Sequence, residues 1–246
     1  MQANKKQLEI LLIEYFRTCF SDFPKGMLVP SESPDFIVHF KNHHRLGIEL
    51  TRLNPANAES ISVLQSEQQK SEDNVVSISK TVFESQSAAK LFVKFLFSKK
   101  YTIEKQREMA LAVRLSSVIR QKVNKMNCNS FFTIHLSRPE LPVEIDKVLI
   151  INHPGMSMSV WERSNNLGVS VDVVDDIRSS IVKKDEKLRI YQKQRLNYYW
   201  LLIFTDRLRG TRSFNLAEKV QNHHFDSRFQ HVFLFDLIKS SVFQLV

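Results

Sequence analysis

The chain has 246 residues, of which 43% are hydrophobic and 25% are charged, and this composition suits one globular domain spanning residues 1–246. Its 5 glycines and 7 prolines argue against a low-complexity protein, and its 2 cysteines are too few for a disulfide framework or a thiolate metal site. The net charge of +9 favours a polyanionic partner, although a basic protein without such a partner fits the charge equally well.

We expect a reduced, cytoplasmic setting and no membrane partner. The apolar stretch near the start is interrupted by Glu9 and Glu14, which is atypical of a signal peptide. No run of 18 apolar residues occurs that would predict a membrane span.

The first elements along the chain are a helix and a hairpin. Apolar residues recur at helical spacing from about Lys5 to Phe20 and predict the helix. Asp35–Phe40 and Leu46–Thr51 then predict two strands joined across Lys41–Arg45. A segment rich in Ser, Gln, Glu and Asn follows at about 55–87 and predicts a polar helical segment.

The rest of the chain alternates between extended and helical patterns. The predicted strands are Leu91–Phe97, Ser130–Leu136, Lys147–Asn152, Gly168–Val174, Tyr199–Thr205, Val232–Asp236 and an edge strand at Val242–Val246. The predicted helices are Thr102–Lys125, Asp175–Tyr198 and Asn215–Asn222. Strands and helices mixed in this way predict an α/β layered domain.

Two acidic residues interrupt the otherwise apolar strands of the hairpin. Because side chains alternate faces along a strand, Glu49 shares one face with Gly47 and Thr51. Burial of an isolated carboxylate is costly, and a divalent ion shared by Asp35 and Glu49 would satisfy both. The alternative is structural: Asp35 caps a turn at the start of its strand, and Glu49 faces solvent.

The sequence around these acids resembles a known family. Glu32, Pro34-Asp35 and, after a short hairpin, Glu49-Leu50-Thr51 are similar to the motif of the PD-(D/E)XK nuclease superfamily. The resemblance covers residues 5–100, with a weaker match at 175–236. It implies a restriction-endonuclease-like α/β fold, in which a mixed sheet with a catalytic hairpin and additional strands is flanked by helices.

The resemblance also implies a metal site. Asp35 and Glu49 would be metal ligands, the Leu50 carbonyl a third, and Glu32 either a further ligand or a ligand to a second ion. The implied cofactor is Mg²⁺ or Mn²⁺.

Thr51 departs from the family's motif, which has a lysine two residues after the second acid. That lysine normally positions the attacking water and offsets negative charge, whereas threonine can only form hydrogen bonds. Either another lysine reaches the site or the chain has lost cleavage activity.

Lys184 is our candidate for the lysine that replaces the missing motif lysine at position 51. On the predicted helix it falls within an apolar stripe formed by Ile177, Ile181, Leu188 and Tyr191, and Lys187 lies at the edge of that stripe. A lysine on a buried face needs a carboxylate partner or a route to water. Lys184, with Lys187 or Tyr191, would then face the acidic pair; a snorkelling lysine or an ordinary ion pair is the alternative. The lysines and Tyr191 ahead of the strand YWLLI also resemble a late segment of some superfamily members.

Several arginines are candidates for contacts with a nucleic acid backbone. Arg207, Arg209 and Arg212 lie in a basic loop after a predicted buried strand, although a solvated loop fits them equally well. Arg45 and Arg52 flank the hairpin. The adjacent histidine pairs at 43–44 and 223–224 lack zinc-like spacing and are predicted to be surface residues.

The first functional hypothesis is a Mg²⁺- or Mn²⁺-dependent endonuclease that hydrolyses phosphodiester bonds of DNA, with a homodimer left open. The second, favoured by Thr51, is a catalytically inactive nuclease-like module that binds nucleic acid or serves in assembly. A metal-binding structural protein without a nucleic acid role is a third alternative.

Overall fold

The computed structural model describes residues 2–53, 67–98, 100–164, 173–206, 220 and 222–246. Its helices are α1 (Gln2–Cys19), α2 (Glu67–Glu84), α3 (Glu108–Val123) and α4 (Val173–Tyr191). Its strands are β1 (Met27–Pro30), β2 (Phe36–His39), β3 (Arg45–Arg52), β4 (Leu91–Phe97), β5 (Phe132–Ser137), β6 (Ile145–Asn152), β7 (Val160–Arg163), β8 (Tyr198–Thr205), β9 (His231–Asp236) and β10 (Ser241–Gln244). The chain is therefore α/β in class. Within the described ranges, no helix is long and apolar enough to cross a membrane.

Residue contacts divide the chain into two compact units. Unit 1 comprises residues 1–11 and 63–165, and unit 2 comprises residues 12–62 and 166–246. The sequence predicted one mixed sheet, whereas the strands form two, one in each unit. Composition gave no sign of this division, because no Pro/Gly/Ser-rich linker lies at the boundaries.

Unit 1 is built on a four-stranded sheet in the order β5-β6-β4-β7. Alternate residues of β4, such as Val93 and Phe95, pack with apolar residues of α2 and α3 in one core. Lys94 points to the other face and is 1% exposed; its Nζ donates to Glu162 Oε1 at 2.6 Å. The helix α2 lies within the predicted polar helical segment 55–87 and belongs to this unit, whereas residues 55–66 of that segment lie outside the described residues.

Unit 2 is built on a six-stranded mixed sheet in the order β1-β2-β3-β8-β9-β10. The strands β1, β2 and β3 are antiparallel neighbours, and β8 lies parallel to both β3 and β9. The strand β10 returns antiparallel to β9 at the edge.

Helices cover both faces of the unit 2 sheet. Phe16 of α1 has its ring 5.5 Å from that of Phe233 on β9. The neighbouring residue Val232 belongs to the core that includes Ile177 and Ile181 of α4. Since consecutive residues of a strand point to opposite faces, α1 and α4 lie on opposite sides of this sheet.

The elements of the chain's second half differ from prediction around α4. Val173 and Val174 were predicted to end a strand but begin this helix, and Val173 is buried in the helix–sheet core. The helix ends at Tyr191, earlier than predicted, because Tyr198 already pairs with Leu46 of β3. The predicted strand segment 168–172 and most of the predicted helix 215–222 lie outside the described residues.

Candidate functional site in unit 2

The hairpin places Asp35 near the end of β3 that carries Glu49. Phe36 pairs with Ile48 and Ile37 with Gly47 in the antiparallel β2–β3 ladder. Asp35 immediately precedes β2 in the chain, one residue beyond the last pair of this ladder. Continued by one residue, the pairing would set Asp35 opposite Glu49, with both side chains on one face of the sheet.

Backbone hydrogen bonds hold Asp35 in this position. The Leu50 N–H donates to Asp35 Oδ2 at 2.8 Å, and the Ser31 N–H donates to the Asp35 carbonyl at 2.8 Å. The first of these bonds links Asp35 to Leu50, the residue that follows Glu49 in the sequence.

A close approach at Gly47 shapes the segment just before Asp35. A Cβ atom at Gly47 would lie 2.6 Å from Pro34 Cγ and 2.7 Å from Leu196 Cδ1. Pro34 follows a cis peptide bond and is buried. In addition, the Gln194 side chain donates to the Ser33 carbonyl at 2.7 Å. The turn that ends at Asp35 is thus held against β3 and against the segment that follows α4.

Glu49 is buried in the middle of β3, with 6% exposure. Burial rules out the alternative in which Glu49 faces solvent. Lys184 of α4 donates to Glu49 Oε1, with an Nζ–Oε1 distance of 2.6 Å. The same Nζ lies 3.5 Å from the Leu50 carbonyl oxygen. A cation from the helix thus touches both the second acid and the carbonyl that follows it.

Tyr191 is the second α4 residue at this carboxylate. It is 4% exposed, and its phenol is close enough to Glu49 for the charge of that carboxylate to act on it. Burial, followed by the negative charge of Glu49, raises the pKa of the Tyr191 phenol above its ordinary value of 10.0. The phenol is therefore a hydrogen-bond donor at neutral pH.

Tyr199 supports Tyr191 from β8. Its hydroxyl donates to the Tyr191 carbonyl at 3.2 Å and accepts from the Leu196 N–H at 3.2 Å. These bonds tie the end of α4 to the start of β8. Leu196 is also the residue that packs on Gly47.

The other predicted site residues are placed as follows. Thr51 is half-buried on the same face of β3 as Glu49. Lys187 and Glu32 are exposed. Of the two α4 lysines proposed as the replacement, Lys184 is the one that contacts Glu49.

The arginines take different positions. Arg45 donates from Nη2 to the Gln194 and Arg195 carbonyls at 3.3 Å each. Arg52 Nη2 lies 3.5 Å from Asp206 Oδ2. Arg207, Arg209 and Arg212 lie outside the described residues.

The oxygen atoms at this site suit a hard divalent cation. Asp35 and Glu49 supply carboxylates and Leu50 a carbonyl oxygen, and Mg²⁺ sites usually combine one or two carboxylates with waters and phosphate oxygens. Among the described residues, no group of three or more His, Cys, Asp or Glu side chains is arranged to hold a metal ion. A Mg²⁺ ion held by these donors would complete its coordination with waters and substrate phosphate oxygens.

Comparison with known proteins provides no relative for this chain. No family model, no curated protein and no solved structure matches it.

Sequence reasoning missed the residues that position the site. Gly47 carried the usable signal, because a glycine within a strand often marks a close approach of other atoms. No signal in the sequence indicated the roles of Gln194, Leu196 and Tyr199, because these roles depend on the parallel pairing of β8 with β3.

Proposed function

We propose that unit 2 is a metal-dependent nuclease that hydrolyses phosphodiester bonds of DNA. The observation that carries this proposal is the contact of Lys184 Nζ with Glu49 Oε1 at 2.6 Å, one residue before Leu50, whose N–H donates to Asp35 Oδ2. A lysine is thus present beside the two acids, although the motif has Thr51 where the family has lysine.

The arrangement of elements supports the same proposal. The PD-(D/E)XK fold has a helix followed by a mixed sheet with a catalytic hairpin. In unit 2 the order is the second half of α1, β1, the hairpin β2–β3, α4, and β8 parallel to β3. We therefore propose a restriction-endonuclease-like fold for unit 2, with residues 63–165 inserted between β3 and α4.

In this proposal Asp35, Glu49 and the Leu50 carbonyl would hold Mg²⁺ or Mn²⁺. Such an ion would lower the pKa of bound water and offset charge at the phosphate. Lys184 places a positive charge beside Glu49, where it can orient the attacking water and stabilise the charge that develops on the phosphate. Tyr191 places a protonated phenol near Glu49. The exposed Glu32 remains a candidate ligand for a second ion, and Arg52 a candidate for phosphate contact.

One observation favours a second candidate function. Glu49 already has the Lys184 ammonium as its partner, and a buried ion pair of this kind also occurs in purely structural cores. The alternative is a catalytically inactive module that binds nucleic acid.

Cleavage of supercoiled plasmid and of single-stranded DNA with Mg²⁺ or Mn²⁺ separates the two functions. We expect cleavage by the wild type, and loss of at least about 10²-fold in Asp35→Asn and in Glu49→Gln. Lys187→Ala, on the exposed side of the same helix, is the matched control and should cleave normally. Cleavage that persists in both acid variants would overturn the site assignment, and salt-sensitive DNA binding without any cleavage would favour the inactive module.

A further inference from the structure

Two loops of unit 2 lie side by side at the end of the sheet where β3 and β8 begin. The Arg45 N–H donates to Asn197 Oδ1 at 2.8 Å, and the Asn197 N–H donates to the Arg45 carbonyl at 2.9 Å. The Arg45 guanidinium also donates to the Gln194 and Arg195 carbonyls. The hairpin turn 40–45 and the segment 192–198 thus form one continuous surface.

This surface is basic. Its exposed basic, histidine and aromatic residues, which we call the loop patch, are Lys41, His43, His44, Lys193, Arg195 and Tyr198. Neither segment 40–45 nor segment 192–198 contains an Asp or Glu. The Gln194 side chain donates to the carbonyl of Ser33, and the exposed Glu32 precedes Ser33 in the chain. An exposed cluster of cations without intervening acids favours phosphate groups as the partner.

An aromatic ring lies within the loop patch. Tyr198 is 41% exposed, and its hydroxyl is 3.4 Å from His44 Nδ1. The two rings are tilted by 60°, with centroids 5.9 Å apart. Exposed aromatic rings among cations are the usual means of binding unpaired bases, because each base can stack on a ring while its phosphates meet the cations.

We propose that the loop patch binds single-stranded DNA next to the site of cleavage. This inference rests on the proposed nuclease function, and it names single-stranded DNA as the substrate of that nuclease. Arg45 and Glu49 are four residues apart on β3, which corresponds to about 13 Å. A single-stranded DNA with one phosphate at Glu49 therefore reaches the loop patch within a few nucleotides, provided that its bases are unpaired and free to stack.

Binding without cleavage tests this inference. The intact chain is titrated into fluorescein-labelled dT20, or into a 20-base-pair duplex, in EDTA at several salt concentrations. Tyr198→Ala should weaken binding to dT20 by about 5- to 100-fold and leave duplex binding nearly unchanged. Tyr101→Ala is the matched control, since Tyr101 in unit 1 is 42% exposed.

The cations are tested with the double variant Lys41→Ala/Lys193→Ala. Removal of two phosphate contacts should lower the slope of log affinity against log salt by about 1.4 for a single strand. The matched control is Lys70→Ala/Lys125→Ala, which removes two exposed lysines of unit 1.

The failure of this inference can be distinguished from failure of the proposed function. If the wild type does not cleave DNA but Tyr198→Ala still loses dT20 binding, the loop patch is supported and the nuclease proposal is not. If the wild type cleaves DNA and Tyr198→Ala binds dT20 no more weakly than Tyr101→Ala does, the loop patch is overturned and the nuclease proposal stands. Tighter binding of the duplex than of dT20 would also overturn the inference.

Discussion

Lys184 Nζ lies 2.6 Å from Glu49 Oε1, although 135 residues separate the two in the sequence. Glu49 is on β3, and Lys184 comes from α4, which begins only after residues 63–165 of unit 1. Two segments distant in the chain thus contribute one ion pair beside Asp35.

Loss of Lys184 should destabilise unit 2. Lys184→Ala leaves the Glu49 carboxylate buried without its cation, and removal of one partner from a buried pair costs about 3 kcal/mol. Urea denaturation would measure the change in the free energy of unfolding. Lys187→Ala on the same helix is the control and should change stability by less than about 0.5 kcal/mol. Equal effects of the two variants would contradict a stabilising pair.

A lysine introduced at position 51 should replace Lys184 in catalysis. Under the proposed function, Lys184→Ala lowers kcat/KM by about 10²- to 10³-fold. Thr51→Lys places an ammonium on the same face of β3 as Glu49, so the double variant Lys184→Ala/Thr51→Lys should recover much of the lost activity. Failure of Lys184→Ala to lower activity would remove Lys184 from the proposed mechanism.

Divalent cations should stabilise the folded chain through Asp35 and Glu49. An ion at 100 times its Kd adds about 2.7 kcal/mol to the free energy of unfolding. We expect Mg²⁺ or Mn²⁺ to raise the Tm of the wild type but not of Asp35→Asn or Glu49→Gln. Glu32→Gln serves as the comparison. If the cation still raises the Tm of this variant, the exposed carboxylate of Glu32 is not required for binding the ion. A shift of equal size in all variants would place the ion elsewhere.

The buried phenol of Tyr191 predicts a loss of stability at alkaline pH. Its folded-state pKa is raised above the ordinary value of 10.0, so the folded state keeps a proton that the unfolded state releases. Its contribution to stability is fully present below pH 10 and is lost as the pH rises above that value. Tyr191→Phe should reduce the slope of unfolding free energy against pH by up to about 1.4 kcal/mol per pH unit. Burial also raises the pKa of Tyr15. Part of the slope of unfolding free energy against pH therefore remains in the Tyr191→Phe variant.

A side chain at Gly47 should disturb the turn that carries Asp35. The added methyl group of Gly47→Ala would overlap Pro34 and Leu196, and overpacking of this kind costs about 1–3 kcal/mol. We expect lower stability, measured by urea denaturation, and weaker metal binding. Gly155→Ala in unit 1 is the control, because its Cβ would meet only the His153 side chain, at 3.1 Å and beyond.

Local patterns in the sequence predicted much of the structure. The strand Leu91–Phe97 was predicted with its observed bounds, because a continuous apolar run identifies a buried strand. The α4 stripe correctly set Lys184 among buried residues, because helical periodicity fixes which side chains share a face.

Features that depend on distant pairing could not be predicted. The chain was expected to form one sheet, since nothing local indicates that β3 pairs with β8 while β4 pairs with β6. Val173 and Val174 resemble strand residues locally, yet packing on the sheet core favours a helix there. The contact of Pro34 with Gly47 likewise arises only once the strands have assembled.

The insertion of unit 1 between β3 and α4 also orders events during synthesis. Asp35 and Glu49 leave the ribosome first, and at about 5–20 residues per second Lys184 follows roughly 7–27 s later. During that interval β3 lacks its neighbour β8, and Glu49 lacks its cation. Apart from the start of α1, unit 1 is contiguous in the sequence and is finished earlier. The nascent chain therefore completes unit 1 before unit 2, and the candidate site is assembled last.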